Sequence, residues 1–579
     1  MAARDELIEL FESMGSMLEL LGANAFKVNA HRRVARVLED MTEDITSYAD
    51  DPKGLTAFDG IGAGSAKKIC EYLQTGRISE HDALLDEIPD GLLDVLQVPG
   101  LGPKTVRNLW EHADIESMQD LEAAIASGGL DKVPRLGAKT IANIADSIEF
   151  MKKAGERMPI GRALPLAELI VEHLRGQPGV SSVEYAGSLR RGRDTIGDLD
   201  LLACCDDPAG LIEHFKSTKG VEKVLLAGET KCSLRLDRGV QVDLRVVPEE
   251  AFGAALLYFT GSKEHNVKLR ERAVKAGQRL NEYGLYPDDG NEEPPQERGI
   301  DPVASKSEAD IYEALKLPFH PPELREDRDN LETVPPLVEI DDIGAELHAH
   351  TTASDGHLSI EELVAEAKRR GFHTIAVTDH SRSSVQANGL DEDRLRKHID
   401  EIHEVDAATK GIRVLAGSEV DIHADGSLDY EDDLLAKLDI VVASPHSALR
   451  QDSDKATRRL VQAIAHPLVH IIGHPTGRII GRRAGLEPDL HALIEAALAH
   501  DTALEINANP QRLDLRDVHV RAAADAGCLL AINTDAHAAE HFDFLRYGVL
   551  TARRGRLGPD QCISCWKAKR LHAWLASKR

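Results

Sequence analysis

The sequence predicts a multidomain chain, with an all-α N-terminal region, an α+β middle and a C-terminal parallel βα barrel. Three observations carry this. A glycine motif followed by a helical segment recurs near residues 60, 100 and 135. Strand-like runs begin at about residue 155. Past about residue 343, seven apolar runs alternate with helical segments, and each run ends in His, Asp, Glu or Asn.

A length of 579 residues suggests three or four domains. No apolar run reaches the roughly 18 residues that a membrane helix needs. The opening "MAARDELIELFESMG" has acids and amphipathic spacing where a signal peptide would have a basic and then an apolar region. The seven cysteines lack a secreted-scaffold pattern and read as reduced thiols of a cytoplasmic protein. The formal net charge of −29 taken alone argues against a nucleic-acid partner. Metal-binding acids contribute to that sum, however, and a local basic stripe can still track a phosphate backbone.

"RDELIELFESMGSMLELLG" (4–22) has helical apolar spacing. "DGIGAGSAKKICEYL" (59–73), "VPGLGPKTVRNLWEH" (98–112) and a weaker "VPRLGAKTIANIADS" (133–147) form an internal repeat. Gly60 and Gly62, like Gly100 and Gly102, permit a tight turn and close backbone approach. The N–H groups of the following helix can then bind phosphate, with Lys67, Lys68 and Lys104 nearby. The third copy has Arg135 in place of its first glycine and reads as structural.

In "GSLRRGRDTIGDLDLL" (187–202), Asp198 and Asp200 share one face of a strand, because side chains at i and i+2 point the same way. "VQVDLRVV" supplies Asp243 on a second strand. Three such carboxylates can hold two Mg²⁺ or Mn²⁺ ions about 3.5–4 Å apart. Gly187, Ser188 and Arg191 would then hold a triphosphate. A salt-bridged surface turn does not account for Asp243 recurring on a separate strand.

The acidic, proline-rich stretch 317–342 reads as a linker or domain edge. The seven runs that follow are "AELHAHTTASDG", "TIAVTDH", "VLAGSEVDIH", "IVVASPH", "VHIIGHP", "ALEINANP" and "LAINTDAH". In a parallel barrel their C-terminal ends share one mouth. That mouth gathers His348, His350, Asp355, His380, Glu419, His446, His474, Asp535 and His537. Nine such ligands suit three ions of Mn²⁺, Zn²⁺ or Fe²⁺, with Glu419 bridging. "CISC" (562–565) lacks a second pair and reads as core or surface cysteine. Arg512 is open between a phosphate contact and a solvated side chain, and His423, His466 and His470 are given no ligand role.

The glycine repeats resemble the helix-hairpin-helix motif that grips DNA backbones. "GSLRRGRDTIGDLD", "VDLR" and "LYFTGSKEHN" (257–266), in this order, resemble family X DNA polymerases, and the nine-ligand barrel resembles the PHP (polymerase and histidinol phosphatase) domain. The combination is similar to the bacterial or archaeal type of family X polymerase. The resemblance implies a helix-hairpin-helix domain over 1–85, a second helical DNA-binding subdomain over 86–155, an α+β nucleotidyltransferase palm over 156–248 and a thumb over 249–325. A linker over 326–342 and a distorted (β/α)₇ PHP barrel over 343–579 complete it. It implies catalysis by Asp198, Asp200 and Asp243, and triphosphate contacts from Ser188, Arg191 and Arg157. Tyr258 and Phe259 would sit against the sugar, Gly261 would join the nucleotide-binding set, and Asn266 and Arg270 would contact the nascent pair and template side. Gln241 stands where a mammalian relative has arginine. Lys68 aligns with a Schiff-base lysine, but His31 and Gly64 replace its neighbouring tyrosine and a further lysine, which favours phosphate contact by Lys67 and Lys68.

The implied activity is short-gap filling in DNA repair, with 3′–5′ exonuclease action in the barrel. Abasic-site cleavage and 3′-phosphate removal fall within the same phosphoesterase chemistry. The implied partners are gapped or primer–template DNA with a 5′-phosphate in the gap and deoxynucleoside triphosphates, bound by a monomer without a membrane. The rival readings are a polymerase whose barrel is a metal-stabilised structural partner, and a DNA-end-binding scaffold with vestigial catalytic sites.

Overall fold

A computed structural model of the chain describes residues 3–41, 45–58, 60–89, 91–96, 98, 101–134, 136–137, 140–142, 144–145, 148, 157–326, 328–481 and 483–578. These fall into two compact units, Met1–Gly155 and Glu156–Arg579.

The first unit is helical. Helices Ala3–Leu20 and Ala25–Asp40 bury Leu7, Phe11, Met14, Met17, Val34 and Leu38 against each other and against Ile69 of the helix Ala63–Thr75. Gly60 has φ +106°, and a Cβ there would meet the Arg33 side chain at 2.8 Å, so the turn requires glycine. Gly62 and Gly102 precede the helices Ala63–Thr75 and Pro103–Ala113 as N-caps.

The second unit begins with a five-stranded sheet. Its order is Val180–Tyr185, Leu199–Cys205, Gln241–Val246, Lys231–Leu236, Val221–Ala227. Leu199–Cys205 and Gln241–Val246 run parallel, with Asp200 directly opposite Asp243. Leu199 and Leu201, like Val242 and Leu244, point to the other face, where they pack on helices Ile160–Arg175 and Pro208–Lys216. Two barrel residues, Leu513 and Tyr547, complete that core.

Helices Phe252–Thr260 and Lys263–Lys275, the hairpin Gln278–Asn281/Gly284–Pro287 and helix Glu308–Ala314 follow. A Cβ on Gly253 would collide with the Ser307 backbone, so these helices close only on glycine. Glu308 is buried and accepts hydrogen bonds from Arg190 (2.7 and 2.8 Å) and from the fully buried Arg325 (2.6 Å). The stretch 326–342 is fastened to the barrel. Arg521 pairs with Asp329 (2.8 Å), Arg328 with Asp517 (2.9 Å), and Val338 enters the barrel core.

Seven parallel strands then follow in sequential order: Ala345–Glu346, Thr374–Val377, Arg413–Asp421, Ile440–Ser444, Ile471–Ile472, Ala503–Asn507 and Leu530–Asn533. A bridge between Ala349 and Ala536 joins the first strand's extension to the last. The interior holds Leu347, Leu415, Val442 and Ile471, and the C-terminal Trp566, Leu571 and Trp574 plug its lower end. Cys562 is part of the packed core, and all seven cysteines are unpaired. No described helix is long and apolar enough to cross a membrane.

Breaking the Glu308 pair would leave two cations without their anion. Glu308→Ala is expected to cost about 3–5 kcal/mol, the usual result of removing one partner of a buried ion pair. Urea denaturation measures this, and a loss under about 1 kcal/mol, as for exposed pairs, would contradict the account.

Candidate active sites

The strand register gathers the first site. Asp198, Asp200 and Asp243 each present an oxygen within 4.8 Å of the others. Gln241 Nε2 donates to Asp243 Oδ2 (2.9 Å), so the glutamine at this position steadies the carboxylate. Asp243 Oδ1 is buried and makes no hydrogen bond. Burial, then the charges of Asp198 and Asp243, raise the Asp200 carboxyl to about 7. Three crowded acids with an unsatisfied oxygen are what a divalent cation would neutralise.

Gly187 has φ +61°, and a Cβ there would collide with the Asp200 carboxylate. The adjoining cavity of about 460 Å³ is lined by Asp198, Asp200 and every residue expected to bind nucleotide: Arg157, Gly187, Ser188, Arg191, Tyr258, Phe259, Gly261, Asn266 and Arg270. Asn266 Nδ2 donates to the Tyr258 carbonyl (2.7 Å), and the Tyr258 and Phe259 rings meet edge to face. Arg157 holds Thr195 through Oγ1 (3.1 Å) and the carbonyl (2.7 Å).

The second site lies at the barrel mouth. Glu419 Oε1 is 2.9 Å from His474, 3.2 Å from His446 and 3.4 Å from His348. Its Oε2 is 2.9 Å from His380 and 3.6 Å from His350. Asp535 Oδ1 lies 3.1 Å from His350, and Asp355 Oδ1 lies 3.4 Å from His537. All nine sequence-derived candidates therefore converge, in three overlapping groups that share His350 and His380 and a further carboxylate contact from His474. Eight buried nitrogen and oxygen atoms of this cluster, on His348, His350, His380, Glu419, His474 and Asp535, make no hydrogen bond. Native interiors rarely leave such groups unmatched, so the donor set fits metal ions. His474 (φ +24°) and Asp535 (φ +53°) also sit in left-handed backbone, a strain that ligation would use.

Burial, with His537 and His380, lowers His350 to about 4, so its ring is neutral at pH 7 and offers a lone pair. Burial opposes the Glu419 charge, but His446, His348 and His380 hold it well below the carboxylate range.

A supporting layer escaped sequence reasoning. Glu505 lies 2.7 Å from His348 Nδ1 and accepts the His474 backbone N–H (2.6 Å). Asp421 lies 3.1 Å from His446 Nδ1, and Asn507 donates to Asp535 (3.1 Å). Such partners fix ring orientation and tautomer. The signal was present in "ALEINANP", where an acid interrupts an apolar strand, and in Asp421, two residues past Glu419 on the same strand face.

In the first unit, no heavy atom lies within 4 Å of where a Cβ would stand on Gly62, Gly64 or Gly102. Both helix N-termini are thus open to a ligand. Lys67 is exposed. Lys68 is engaged with Glu80 (2.5 Å) and His31 Nε2 (3.0 Å). Gly100 and Arg135 lie outside the described residues, as does the environment of the Lys104 side chain.

The helix-hairpin-helix domain family matches residues 2–78, and the SAM-like helix-hairpin-helix tandem matches 92–149. The DNA polymerase beta thumb matches 255–326, and the PHP domain matches 346–509. The chain is 38% identical to the DNA polymerase/3′-5′ exonuclease PolX of Bacillus subtilis (strain 168), over 99% of both chains. It belongs to the PolX family. The chain is 26% identical to DNA polymerase lambda of Rattus norvegicus over 317 residues, 51% of this chain and 52% of that protein. The chain is also 33% identical to a probable phosphatase of Tolumonas auensis (strain DSM 9187 / NBRC 110442 / TA 4) over 203 residues, 33% of this chain and 77% of that protein. The chain thus joins a polymerase thumb match to a PHP domain, and it carries one cluster of metal-type ligands on the five-stranded sheet and others at the barrel mouth.

The Asp200 carboxyl predicts a pH effect on the metal-free protein. Its folded value, about 7, stands above the ordinary 3.8, so charging it opposes folding. Stability from the neutral form is complete below the unfolded value and lost as pH rises through about 7. In chelator, Asp200→Asn is expected to raise the melting temperature at pH 8 and to leave it unchanged at pH 4. An equal gain at both pH values would rule out charge repulsion as its origin.

Proposed function

We propose that this chain fills short gaps in DNA by nucleotidyl transfer at Asp198, Asp200 and Asp243, and removes 3′ nucleotides at the barrel mouth. The observation that carries the first half is the meeting of three carboxylates with a cavity lined by arginines, Ser188 and the Tyr258–Phe259 pair. Asp198, Asp200 and Asp243 would hold Mg²⁺ or Mn²⁺, which supplies charge neutralisation and a lowered pKa at the attacking oxygen. Ser188, Arg157 and Arg191 donate hydrogen bonds to the triphosphate, whose negative charge they offset. Tyr258 and Phe259 lie where the sugar would stand and exclude a 2′-hydroxyl by contact. Arg270, exposed at the cavity edge, reaches toward the base pair.

At the mouth, Glu419 and Asp535 sit among the imidazoles as shared ligands, and Glu505 and Asp421 keep His348 and His446 in their orientations. This mixed set suits three ions of Mn²⁺, Zn²⁺ or Fe²⁺. The eight unmatched buried atoms support a metal-bearing barrel, and the degradation assay below separates a catalytic barrel from a metal-stabilised structural one. The substrate is gapped or primer–template DNA, held by a monomer through helix N-termini that meet phosphate without reading bases.

The two activities are expected to separate. Asp243→Ala abolishes nucleotide addition and retains 3′-end degradation. His348→Ala/His350→Ala lowers degradation by orders of magnitude while the protein still extends a simple primer. Both are read on one labelled gapped duplex, with circular dichroism to confirm folding, because metal binding can be folding energy. Degradation at the parent rate by the folded double mutant would place the nuclease elsewhere. Mn²⁺ is expected to support degradation better than Mg²⁺.

A gap bearing a 5′-phosphate should bind more tightly than one bearing a 5′-hydroxyl, with affinity falling as salt rises. Lys67→Ala/Lys68→Ala is expected to erase that preference in a fluorescence-anisotropy titration. An unchanged preference would remove the phosphate pocket from the first hairpin.

A further inference from the structure

The turn that carries Arg191 is gripped by the barrel. Arg191 Nε donates to Glu326 Oε1 (2.9 Å) and its Nη1 to the Thr260 carbonyl (2.6 Å). Glu326 in turn accepts from Arg554 Nη1 (3.0 Å), which also donates to the Arg191 carbonyl (2.7 Å). Arg554 ends the helix Leu545–Arg554, and its Nε and Nη2 are fixed by Asp517 Oδ2 (3.0 and 2.7 Å). Gly192, in left-handed backbone at φ +69°, packs on Leu550, so that a Cβ there would stand 3.3 Å from the leucine. Asp194 accepts from Arg478 (3.2 Å). Arg191, Gly192 and Asp194 are thus all held by the linker or the barrel, just before Asp198.

We propose that Glu326, Arg554 and Asp517 are positioning residues for the incoming nucleotide, and that the barrel sets the affinity of the polymerase cavity by orienting Arg191. The proposal rests on the reading of Arg191 as a triphosphate ligand. With Nε–H and one N–H of Nη1 committed, both N–H groups of Nη2 and the second of Nη1 are left for phosphate oxygens. A free arginine would lose side-chain entropy on binding, whereas one already held in place loses less. Burial opposes the Glu326 charge, yet Arg554, Arg191 and Arg193 hold its carboxyl down at about 2, so the anion persists at any working pH. A buried charge network is a costly way to join two domains, since well-packed apolar side chains would serve stability as well or better. Its place beside the cavity gives it a use that apolar packing lacks.

The test is single-nucleotide insertion by the full-length protein, with KM for the deoxynucleoside triphosphate and kcat measured separately. Arg554→Met and Glu326→Gln are each expected to raise KM about tenfold, the equivalent of one charge-assisted hydrogen bond, with kcat little changed. Arg554→Lys keeps a charged donor and recovers part of the affinity. In an Arg191→Ala background, Arg554→Met should raise KM no further. If it raises KM equally in both backgrounds, the network does not act through Arg191 and the proposal fails. If Arg191→Ala itself leaves KM unchanged, it is the triphosphate reading that fails. Degradation of single-stranded DNA should stay at the parent level, since none of the three residues touches the nine ligands. A parallel fall in degradation would mark general loss of structure and overturn the assignment. Where circular dichroism shows Arg554→Met unfolded, Glu326→Gln reads the same quantity, and an unchanged KM there also overturns it.

Discussion

Glu419 is a carboxylate wholly out of water, neither of whose oxygens makes a hydrogen bond. An isolated charge in that position would cost many kcal/mol and would escape by taking up a proton. It stays ionised because the ends of neighbouring strands bring five imidazoles around it. A parallel barrel is an economical way to do this, since every strand end faces the same mouth. The sequential strand order, the bridge from Ala349 to Ala536 and the second layer of Glu505, Asp421 and Asn507 all keep that ring at fixed radius.

The polymerase half meets the same difficulty differently. Its three acids have no imidazoles beside them, and their repulsion is left standing, as the raised Asp200 carboxyl records. The arginines nearby offset it only in part, Arg191 at Asp200 and Arg157 at Asp198, and the flanking cations are themselves bound. Arg190 is taken by Glu308, and Arg191 by Glu326. Internal anions thus keep the cations of "LRRGR" from collapsing onto the metal-type carboxylates. The question raised by adjacent acids and arginines in the sequence is answered by a third group of residues, Glu308 and Glu326, more than a hundred positions away.

What was legible in the sequence follows from locality. Alternation in "IGDLDLL" places Asp200 on the strand Leu199–Cys205 and Asp198 in the residue just before it, close enough for the two carboxylates to meet. The nine barrel ligands were legible because they cluster at or just past the ends of six of the seven apolar runs, and topology alone brings run ends together. Glu505, Asp421, Glu308 and Glu326 were not, because their partners are set by packing between elements that no local pattern links. The neighbours of Lys68 were illegible for the same reason. Its helix places it as expected, but Glu80 and His31, brought near by tertiary packing, occupy its ammonium. Lys67, one residue earlier, stays exposed.

Synthesis and degradation of one 3′ end are opposing reactions, and a chain carrying both needs a way to keep them from being driven together. The donor sets supply one. Asp198, Asp200 and Asp243 offer oxygen alone, which suits hard ions and leaves positions for phosphate. The mouth offers six imidazoles and three carboxylates, a set that binds the softer divalent ions more tightly. The donor chemistry thus separates the two sites by the class of divalent ion each would favour, hard oxygen-seeking ions beside the aspartates and softer ions among the imidazoles. Separation by ligand chemistry needs no moving part in the fold.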